Sequence, residues 1–191
     1  QDLDNMSRLV REGIAFARSA QPLEEKRQRL DLNAFLDSIA LDYADVGRPV
    51  AFIPAEEGRV VLTQPQALRR IMTNLIDNGL KFAERVDIRL SYAMNGDPII
   101  QVMDNGPGIP EASLEEVLQP FFRLENSRNR ETGGTGLGLA IAAQLTSQMP
   151  GTLRLGNRPE GGLEAIIRLN AAVLYPSVSR AETDNLTDKN P

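Results

Sequence analysis

DNGPGI at residues 104–109 and GGTGLG at residues 133–138 are the two stretches that decide the fold of this chain. Glycines this dense permit positive φ and let backbone N–H groups approach a ligand closely. The second stretch opens a predicted helix, whose N-terminus adds free donors and a dipole that favours anions. An acid, Asp104, leads the first stretch and can hold a base. Together they favour an ATP pocket, although each alone is also compatible with an ordinary turn.

The sequence around these stretches alternates apolar and polar residues at strand spacing. Residues 86–92 and 98–103 flank Asn95-Gly96 and predict a hairpin that ends at Asp104. A helix at about residues 137–148 and a second hairpin at 152–157 and 163–169 follow the second stretch. Shorter strands are predicted at 49–53 and 59–62, before a long helix at about residues 64–83. This order predicts an α+β two-layer sandwich, with a mostly antiparallel sheet and helices on one face.

The N-terminal segment reads as a separate long helix. Residues 2–20 place apolar side chains at alternating spacings of three and four, a stripe that needs a partner, either another copy or the domain itself. Pro22 and a charged run interrupt the pattern before Asp31, which we expect to cap a helix ending near Ala44. The predicted organisation is therefore a helix over 1–22, a linker over 23–30, a main domain over 31–170 and a C-terminal tail over 171–191.

Composition excludes several kinds of chemistry. The 191 residues include no Cys and no His, which excludes disulfides, thiolate or imidazole metal sites and Ser-His-Asp catalysis. A bound metal would then be a hard ion held through oxygen, such as Mg²⁺. The net charge of −5 argues against nonspecific nucleic-acid binding. The chain begins at Gln1 without a signal peptide or an apolar run of 18 residues, so we expect a soluble fragment of something longer.

The long helix carries a third chemical feature. Asn74, Asn78 and Lys81 fall at i, i+4 and i+7 and therefore share one face, while Ile71, Leu75 and Phe82 mark an apolar side. Two amides and an ammonium suit Mg²⁺-polyphosphate, because amide oxygens can ligate the hard ion and Lys neutralises phosphate charge. By itself, the same pattern also fits a solvated helix face.

With the three features in this order, the chain resembles the ATP-binding catalytic domain of sensor histidine kinases, in the superfamily shared with DNA gyrase, heat-shock chaperone ATPases and mismatch-repair ATPases. Residues 74–82 look like the N box, 104–109 like the G1 box, 119–123 like the F box and 134–139 like the G2 box. The resemblance covers residues 31 to about 170. Residues 1 to about 20 look like the second helix of the family's dimerisation and histidine-phosphotransfer hairpin.

The resemblance implies roles for individual residues. Asp104 is similar to the buried acid that reads adenine, Asn78 to the Mg²⁺ ligand, and Asn74 supports phosphate or metal. Lys81 and Arg128 would meet phosphates, and Phe82 would lie against the adenine ring unless it is simply core. Residues 124–132 would form a mobile lid. The implied nucleotide site consists of Asn74, Asn78, Lys81, Phe82, Asp104, Gly106, Gly108, Ile109, Phe122, Arg128, Gly134, Thr135, Gly136, Leu137 and Gly138, with Asn74, Lys81 and Arg128 as catalytic residues.

The implied activity is that of a histidine protein kinase that uses ATP and Mg²⁺. Gyrase and chaperone relatives place a water-activating Glu where this chain has Asn74, so fast hydrolysis is disfavoured. With no histidine, the fragment cannot autophosphorylate. The resemblance implies a phosphoacceptor histidine hairpin in the parent, a response-regulator receiver domain as partner and a homodimer. The fragment would be cytoplasmic and the parent anchored in the bacterial inner membrane. A superfamily ATPase module and a nucleotide-binding pseudokinase scaffold stay open as alternatives.

Two departures from the family pattern are visible. Gly79 stands where alanine is usual in the N box, at a cost of roughly 0.5 to 1 kcal/mol in a helix interior unless close packing requires glycine. After the G2 helix the chain has Gln148-Met149-Pro150-Gly151 where the family has His-Gly-Gly, a turn position from which we expect little effect on ATP.

Overall fold

The computed structural model describes residues 2–124, 135–170 and 173–176. The helices are α1 (Asp2–Ser19), α2 (Leu32–Asp45), α3 (Pro65–Phe82) and α4 (Gly138–Gln148). The strands are β1 (Gln28–Asp31), β2 (Val50–Ile53), β3 (Arg59–Thr63), β4 (Val86–Tyr92), β5 (Pro98–Asp104), β6 (Gly151–Asn157), β7 (Leu163–Leu169) and β8 (Val173–Pro176). Two short 3-10 turns, Glu111–Ser113 and Glu116–Leu118, follow the G1 box.

A five-stranded sheet in the order β2-β4-β5-β7-β6 forms one layer of the domain. The pairs β4-β5, β5-β7 and β6-β7 are antiparallel, as the two predicted hairpins require, but β2 lies parallel to β4. The α+β sandwich is therefore confirmed, while the expectation of a mostly antiparallel sheet is corrected to a mixed sheet. The parallel pair is possible because β3 and α3 lie between β2 and β4 in sequence and carry the chain back to the same end of the sheet.

A second, three-stranded sheet in the order β1-β3-β8 was not anticipated. Both outer strands pair antiparallel with β3 and satisfy its backbone groups on either side. Strand β1 spans the boundary between the predicted linker, 23–30, and the predicted main domain, and Val173–Pro176 lies in the predicted tail. The division of the chain into these segments stays a prediction.

The core lies between the five-stranded sheet and α2, α3 and α4. Buried residues of neighbouring strands are partners in the sheet register, as Ile88 and Val102 are across β4-β5, and Ile100 and Ile167 across β5-β7. Paired residues point to the same face, so one side of the sheet is apolar and is covered by the helices. The polar side chains of α3 are thus left at the edge of the core, beside the end of β5.

The N-termini of α2 and α3 are capped by nearby side chains. Asp31 caps α2 as predicted, and its carboxylate accepts a hydrogen bond from the N–H of Ala34 at 3.1 Å. At α3, Gln64 makes no side-chain cap, and the carboxylate of Glu25 accepts from the N–H groups of Gln66 and Ala67 at 2.8 and 2.9 Å. A carboxylate at a helix N-terminus is favoured by both hydrogen bonding and the helix dipole. Glu25 therefore fixes part of the segment between α1 and the domain.

The two halves of α1 have different surroundings. Leu3, Met6 and Val10 in the first half are 79%, 64% and 58% exposed. Near the other end, Ser19 is buried, donates to Gln144 of α4 at 2.5 Å, and accepts through its carbonyl from Gln148 at 2.5 Å. The predicted helix is confirmed, and its C-terminal part packs on the domain. No helix within the described ranges combines the length and apolarity that a membrane span requires.

Candidate nucleotide site

Asp104 lies at the end of β5, as predicted, and is only 8% exposed. Its Oδ1 accepts hydrogen bonds from the N–H groups of Gly106 and Leu163 at 2.8 and 3.1 Å. Within the described residues no group donates to its Oδ2. A buried carboxylate with one oxygen fixed by backbone and the other unused can accept one further hydrogen bond in a defined direction.

Helix α3 approaches this carboxylate very closely at Gly79. A Cβ added to Gly79 would lie 2.8 Å from Cγ2 of Val86 and 3.4 Å from Cβ of Asp104. The first distance is shorter than real Cβ contacts, so alanine would force the helix or Val86 to shift. Glycine at this departure from the family pattern therefore permits a closer approach of α3 to β4 and β5.

The G1 box forms a tight loop against the end of α3 and the β6-β7 turn, defined as residues 157–162. A Cβ on Gly106 would lie 2.9 Å from the carbonyl oxygen of Phe82. Gly108 has φ of +75°, where glycine is favoured, and faces the side chain of Asn157. That amide accepts from the N–H of Ile109 at 2.9 Å and donates to its carbonyl at 2.6 Å. Glycine in this box is therefore required by close contacts within the protein itself.

Two further residues of the β6-β7 turn contact the backbone carbonyl of Asp104. Arg158 donates through Nη1 to the carbonyl of Asp104 at 2.7 Å and through Nη2 to Glu160 at 2.6 Å. The latter hydrogen bond lowers the pKa of the Glu160 carboxyl. Gly162, at φ of +95°, approaches so closely that an added Cβ would lie 2.0 Å from the Asp104 carbonyl oxygen. Sequence reasoning missed Asn157, Arg158 and Gly162; the only local signal was the Gly161-Gly162 pair.

The N box and the G2 box meet at the other end of the cleft. Asn74, partly buried on α3, donates to the carbonyl of Arg70 at 2.7 Å. Its Oδ1 lies 3.4 Å from the position of a Cβ on Gly138, the first residue of α4. Leu137, one position earlier, is fully buried. The start of α4, with its free N–H groups, is thus placed beside the amide face of α3, as an anion site would need.

Asn78 and Lys81 lie farther along the same helix and are partly exposed. The ammonium of Lys81 lies 5.5 Å from the centroid of the Phe82 ring, a cation–π distance. Phe82 is 41% exposed, so this ring is not core and can take part in a surface cleft. The three residues therefore lie on the accessible part of α3, between Asn74 and the G1 box.

Asp77, the one acid within the N box, faces away from the cleft. Its Oδ1 accepts hydrogen bonds from Arg48 at 2.8 Å and from the hydroxyl of Tyr43 at 3.0 Å. Burial, together with the charge of Asp77, raises the pKa of that hydroxyl. Asp77 is therefore occupied in joining α3 to α2, and it does not add a carboxylate to the site.

The F box contacts the G2 box and α1. The N–H of Phe121 donates to the carbonyl of Gly136 at 3.1 Å, and Phe121 itself has an unusual φ of +63°. Gly136, at φ of +75°, would carry a Cβ only 2.7 Å from the carbonyl oxygen of Phe122. Phe122 is half-buried against the core. These contacts fix the turn through which the G2 box enters α4.

Helix α1 reaches this end of the cleft through two contacts. The ring of Phe16 meets Phe121 edge to face, with centroids 6.4 Å apart. The hydroxyl of Thr135 in the G2 box donates to the carboxylate of Glu12. Arg128 and Gly134, the two remaining predicted site residues, lie outside the described residues. So does most of the proposed lid.

The donors that could hold a metal here are amides. No group of three or more His, Cys, Asp or Glu side chains suited to a metal occurs in the described ranges. Asn74 and Asn78, one helical turn apart on α3, offer neutral oxygens, which suit Mg²⁺ when phosphate oxygens and water supply the other ligands. The donor set therefore fits Mg²⁺ carried by a polyphosphate better than a resident metal.

Comparison with known sequences identifies close relatives. A family model described as histidine kinase-, DNA gyrase B- and HSP90-like ATPase matches residues 63–173. Sensor histidine kinase GtrS of Pseudomonas aeruginosa is 36% identical over 169 residues, which cover 88% of this chain and 34% of that protein. Sensor histidine kinase YkoH of Bacillus subtilis is 31% identical over 162 residues, 83% of this chain and 35% of that protein. The chain thus spans about a third of the length of these relatives.

Solved structures show the same fold. Full-length ShkA in complex with AMPPNP superposes with a TM-score of 0.75 at 25% identity, covering 87% of this chain and 36% of that chain. The mycobacterial sensor histidine kinase MprB gives 0.64 at 26% identity, covering 78% of this chain and 99% of that one. The family match spans the described N, G1 and F boxes and α4. This chain therefore belongs to the family of histidine kinase-, DNA gyrase B- and HSP90-like ATPases.

Proposed function

We propose that this chain is the ATP-binding catalytic domain of a sensor histidine kinase, which binds MgATP in the cleft between α3, the G1 box and the start of α4. The observation that carries the proposal is the geometry of Asp104. Its Oδ1 is fixed by two backbone N–H groups, and Oδ2 is left to accept from an exocyclic amine. A carboxylate held in this way selects a base that presents an amine, which adenine does and hypoxanthine does not.

The phosphate groups would lie at the opposite end of the cleft. The first N–H groups of α4 would supply dipolar donors to the phosphates, and the Lys81 side chain, farther along α3, would supply positive charge. Asn78, with support from Asn74, would hold Mg²⁺ through amide oxygen. The ion would neutralise phosphate charge during transfer. Arg128 would add a further cation from the lid.

Kinase chemistry is favoured over hydrolysis by the composition of α3. Asn74 occupies the position at which the hydrolases of the superfamily carry a water-activating glutamate, and an amide cannot accept a proton at neutral pH. Asp77 is held by Arg48 and Tyr43 on the other side of the helix. Neither of these two residues of α3 can therefore activate water against the γ-phosphoryl group, which would stay available to another nucleophile.

That nucleophile would be a histidine outside this chain. Its imidazole nitrogen would form a bond to the γ-phosphorus as the bond from that phosphorus to the bridging oxygen breaks, leaving ADP and giving up one proton. The phosphoryl group would then pass to an aspartate of a response-regulator receiver domain. Helix α1, with its exposed apolar stripe, would be one helix of the hairpin that presents the histidine and dimerises in a membrane-anchored parent.

Nucleotide binding is tested by calorimetric titration of the full chain with a non-hydrolysable ATP analogue, with and without Mg²⁺. We expect saturable binding that tightens with Mg²⁺. No binding by the intact chain would refute the nucleotide assignment. Binding without any phosphotransfer would favour the pseudokinase scaffold.

Transfer is tested by mixing the chain with ATP labelled at the γ-phosphate and a matching phosphoacceptor hairpin. We expect label on histidine, identified by its stability in alkali and loss in acid. The control is the same hairpin with its histidine replaced by glutamine. Release of labelled inorganic phosphate at the same rate with either hairpin would support the ATPase alternative and contradict the kinase role.

A further inference from the structure

The β6-β7 turn, residues 157–162, contacts the proposed base-binding end of the cleft, although it lies far from the G1 box in the sequence. Asn157 pairs with both backbone groups of Ile109, accepting from N–H at 2.9 Å and donating to C=O at 2.6 Å. A side-chain amide bonded twice to one residue fixes the orientation of the peptide planes on both sides of it. The end of the G1 box is thus tied to β6.

The same turn is joined to the start of the G1 box. Arg158 donates to the Asp104 carbonyl at 2.7 Å, and the N–H of Leu163, the first residue of β7 directly after the turn, donates to Asp104 Oδ1 at 3.1 Å. The turn is closed by its own backbone hydrogen bonds between Arg158 and Gly162, at 2.9 Å, and between Gly161 and Arg158, at 3.0 Å. The closed turn is therefore hydrogen-bonded to both ends of the loop that runs from Asp104 to Ile109.

We propose that the β6-β7 turn is the positioning element for base recognition, in which Asn157 and Arg158 act through Ile109 and Asp104 to aim Oδ2 at the amine of the base. This inference rests on the proposed nucleotide function. A hydrogen bond to a carboxylate depends on angle as well as distance. Freeing either end of the loop therefore weakens the interaction with the amine specifically, and leaves phosphate contacts at the far end of the cleft unchanged.

The test compares the affinities of the full chain for ATP and for inosine triphosphate, which carries a carbonyl in place of the exocyclic amine. Asn157→Leu removes both hydrogen bonds to Ile109 at similar side-chain size. We expect roughly tenfold weaker ATP binding, the size of losing one hydrogen bond to a charged group, and an inosine triphosphate affinity changed less than about twofold. The preference for adenine would then shrink by the same factor of about ten.

The chain contains a matched control in Asn33. Its amide makes the same double pairing, with the N–H and C=O of Ala55, both at 3.1 Å, away from the cleft. We expect Asn33→Leu to lower thermal stability about as much as Asn157→Leu does, while leaving both nucleotide affinities unchanged. A second variant, Arg158→Ala, tests the other end of the loop and should also reduce the adenine preference.

Two outcomes would overturn the inference. The first is an unchanged ratio of the two affinities in both Asn157→Leu and Arg158→Ala, including an equal loss of ATP and inosine triphosphate binding, which a purely structural role predicts. The second is a change of the ratio in Asn33→Leu. In each of these cases the intact chain still binds ATP, so the proposed function survives, whereas no binding by the intact chain refutes both proposals. Amide hydrogen exchange without nucleotide adds an independent check, since Ile109 must exchange faster in Asn157→Leu and not in Asn33→Leu.

Discussion

The two ends of the cleft are built in different ways. At the end proposed to bind the base, Asp104 lies on a central strand and is held by backbone groups of Gly106 and Leu163 and by Arg158. At the end proposed to bind phosphate, the G2 box is joined to the F box, and Thr135 donates to Glu12 of α1. The proposed base end is thus part of the five-stranded sheet. The proposed phosphate end shares contacts with α1, a helix outside that sheet.

This difference indicates which property each end can control. Contacts within a packed sheet change little when neighbouring elements move, because interiors are close-packed. Contacts between loops and a helix that is half exposed can be made and broken at small cost. We therefore expect base selectivity to be a fixed property of the domain, and phosphate binding to respond to the position of α1.

The largest expected effect is a loss of stability when a side chain is added at Gly162, beside Asp104. Gly162→Ala would place a Cβ 2.0 Å from the Asp104 carbonyl oxygen at a φ of +95°. We expect a loss of about 3 kcal/mol or more in the free energy of unfolding, measured by urea denaturation, from overpacking added to left-handed strain. Gly161→Ala is the control, because φ is +99° but, apart from its chain neighbours, none of the described residues has an atom within 4 Å of the added Cβ. It should cost only about 1 to 2 kcal/mol. Equal losses in the two variants would contradict the close approach at Asp104.

The second effect concerns the carboxylate itself. Asp104→Asn keeps an oxygen for the N–H groups of Gly106 and Leu163 and replaces the other with a donor, which cannot accept from the amine of adenine. We expect ATP affinity to fall roughly ten- to a hundredfold, measured by calorimetry, with the fold retained. Asp37→Asn, on the exposed side of α2, is the control and should bind as the unchanged chain does. An affinity within twofold of the unchanged chain would rule out Asp104 as the base reader.

Sequence alone located β4, β5 and the helix that carries the predicted site residues, because the signals for these elements are local. Alternation in residues 86–92 and 98–103 predicted β4 and β5 and placed Asp104 at a strand end. The spacing of Asn74, Asn78 and Lys81 placed them on one helix face, and the structure has all three on α3. Such patterns depend on neighbours two to seven residues away, which a sequence displays directly.

The rest depends on pairing over long separations. Strand β1, Gln-Arg-Leu-Asp, has a single apolar residue and is a strand only because β3 pairs with it. Val173–Pro176, near the other end of the chain, also pairs with β3. The roles of Asn157 and Arg158 require knowing that the β6-β7 turn folds onto Asp104, and no local pattern around residue 157 contains that information.

A smaller effect on stability is expected where α3 packs against β4. Gly79→Ala gains roughly 0.5 to 1 kcal/mol of helix propensity but forces the added Cβ against Val86, an overpacking that costs roughly 1 to 3 kcal/mol. We expect a net loss of about 1 kcal/mol in the free energy of unfolding. In the double variant with Val86→Ala, this loss should largely disappear relative to Val86→Ala alone. Additive effects of the two substitutions, measured by urea denaturation, would show that the pair does not limit the approach of α3.

The smallest expected effect is a change in ATP affinity at the proposed phosphate end of the cleft. Glu12 brings a negative charge to Thr135, beside the position proposed for the phosphates, so its carboxylate joins α1 to the G2 box and would repel phosphates bound there. Glu12→Gln keeps an acceptor for the Thr135 hydroxyl and removes the charge. We expect ATP to bind roughly two- to threefold more tightly, since partly exposed charges interact by well under 1 kcal/mol, and the gain should decrease as salt is added. Glu24→Gln, in the exposed segment after α1, is the matched control and should change neither the affinity nor its salt dependence. Weaker ATP binding by Glu12→Gln would mean that the contact of α1 supports the phosphate end, and that docking of this helix and nucleotide binding favour rather than oppose each other.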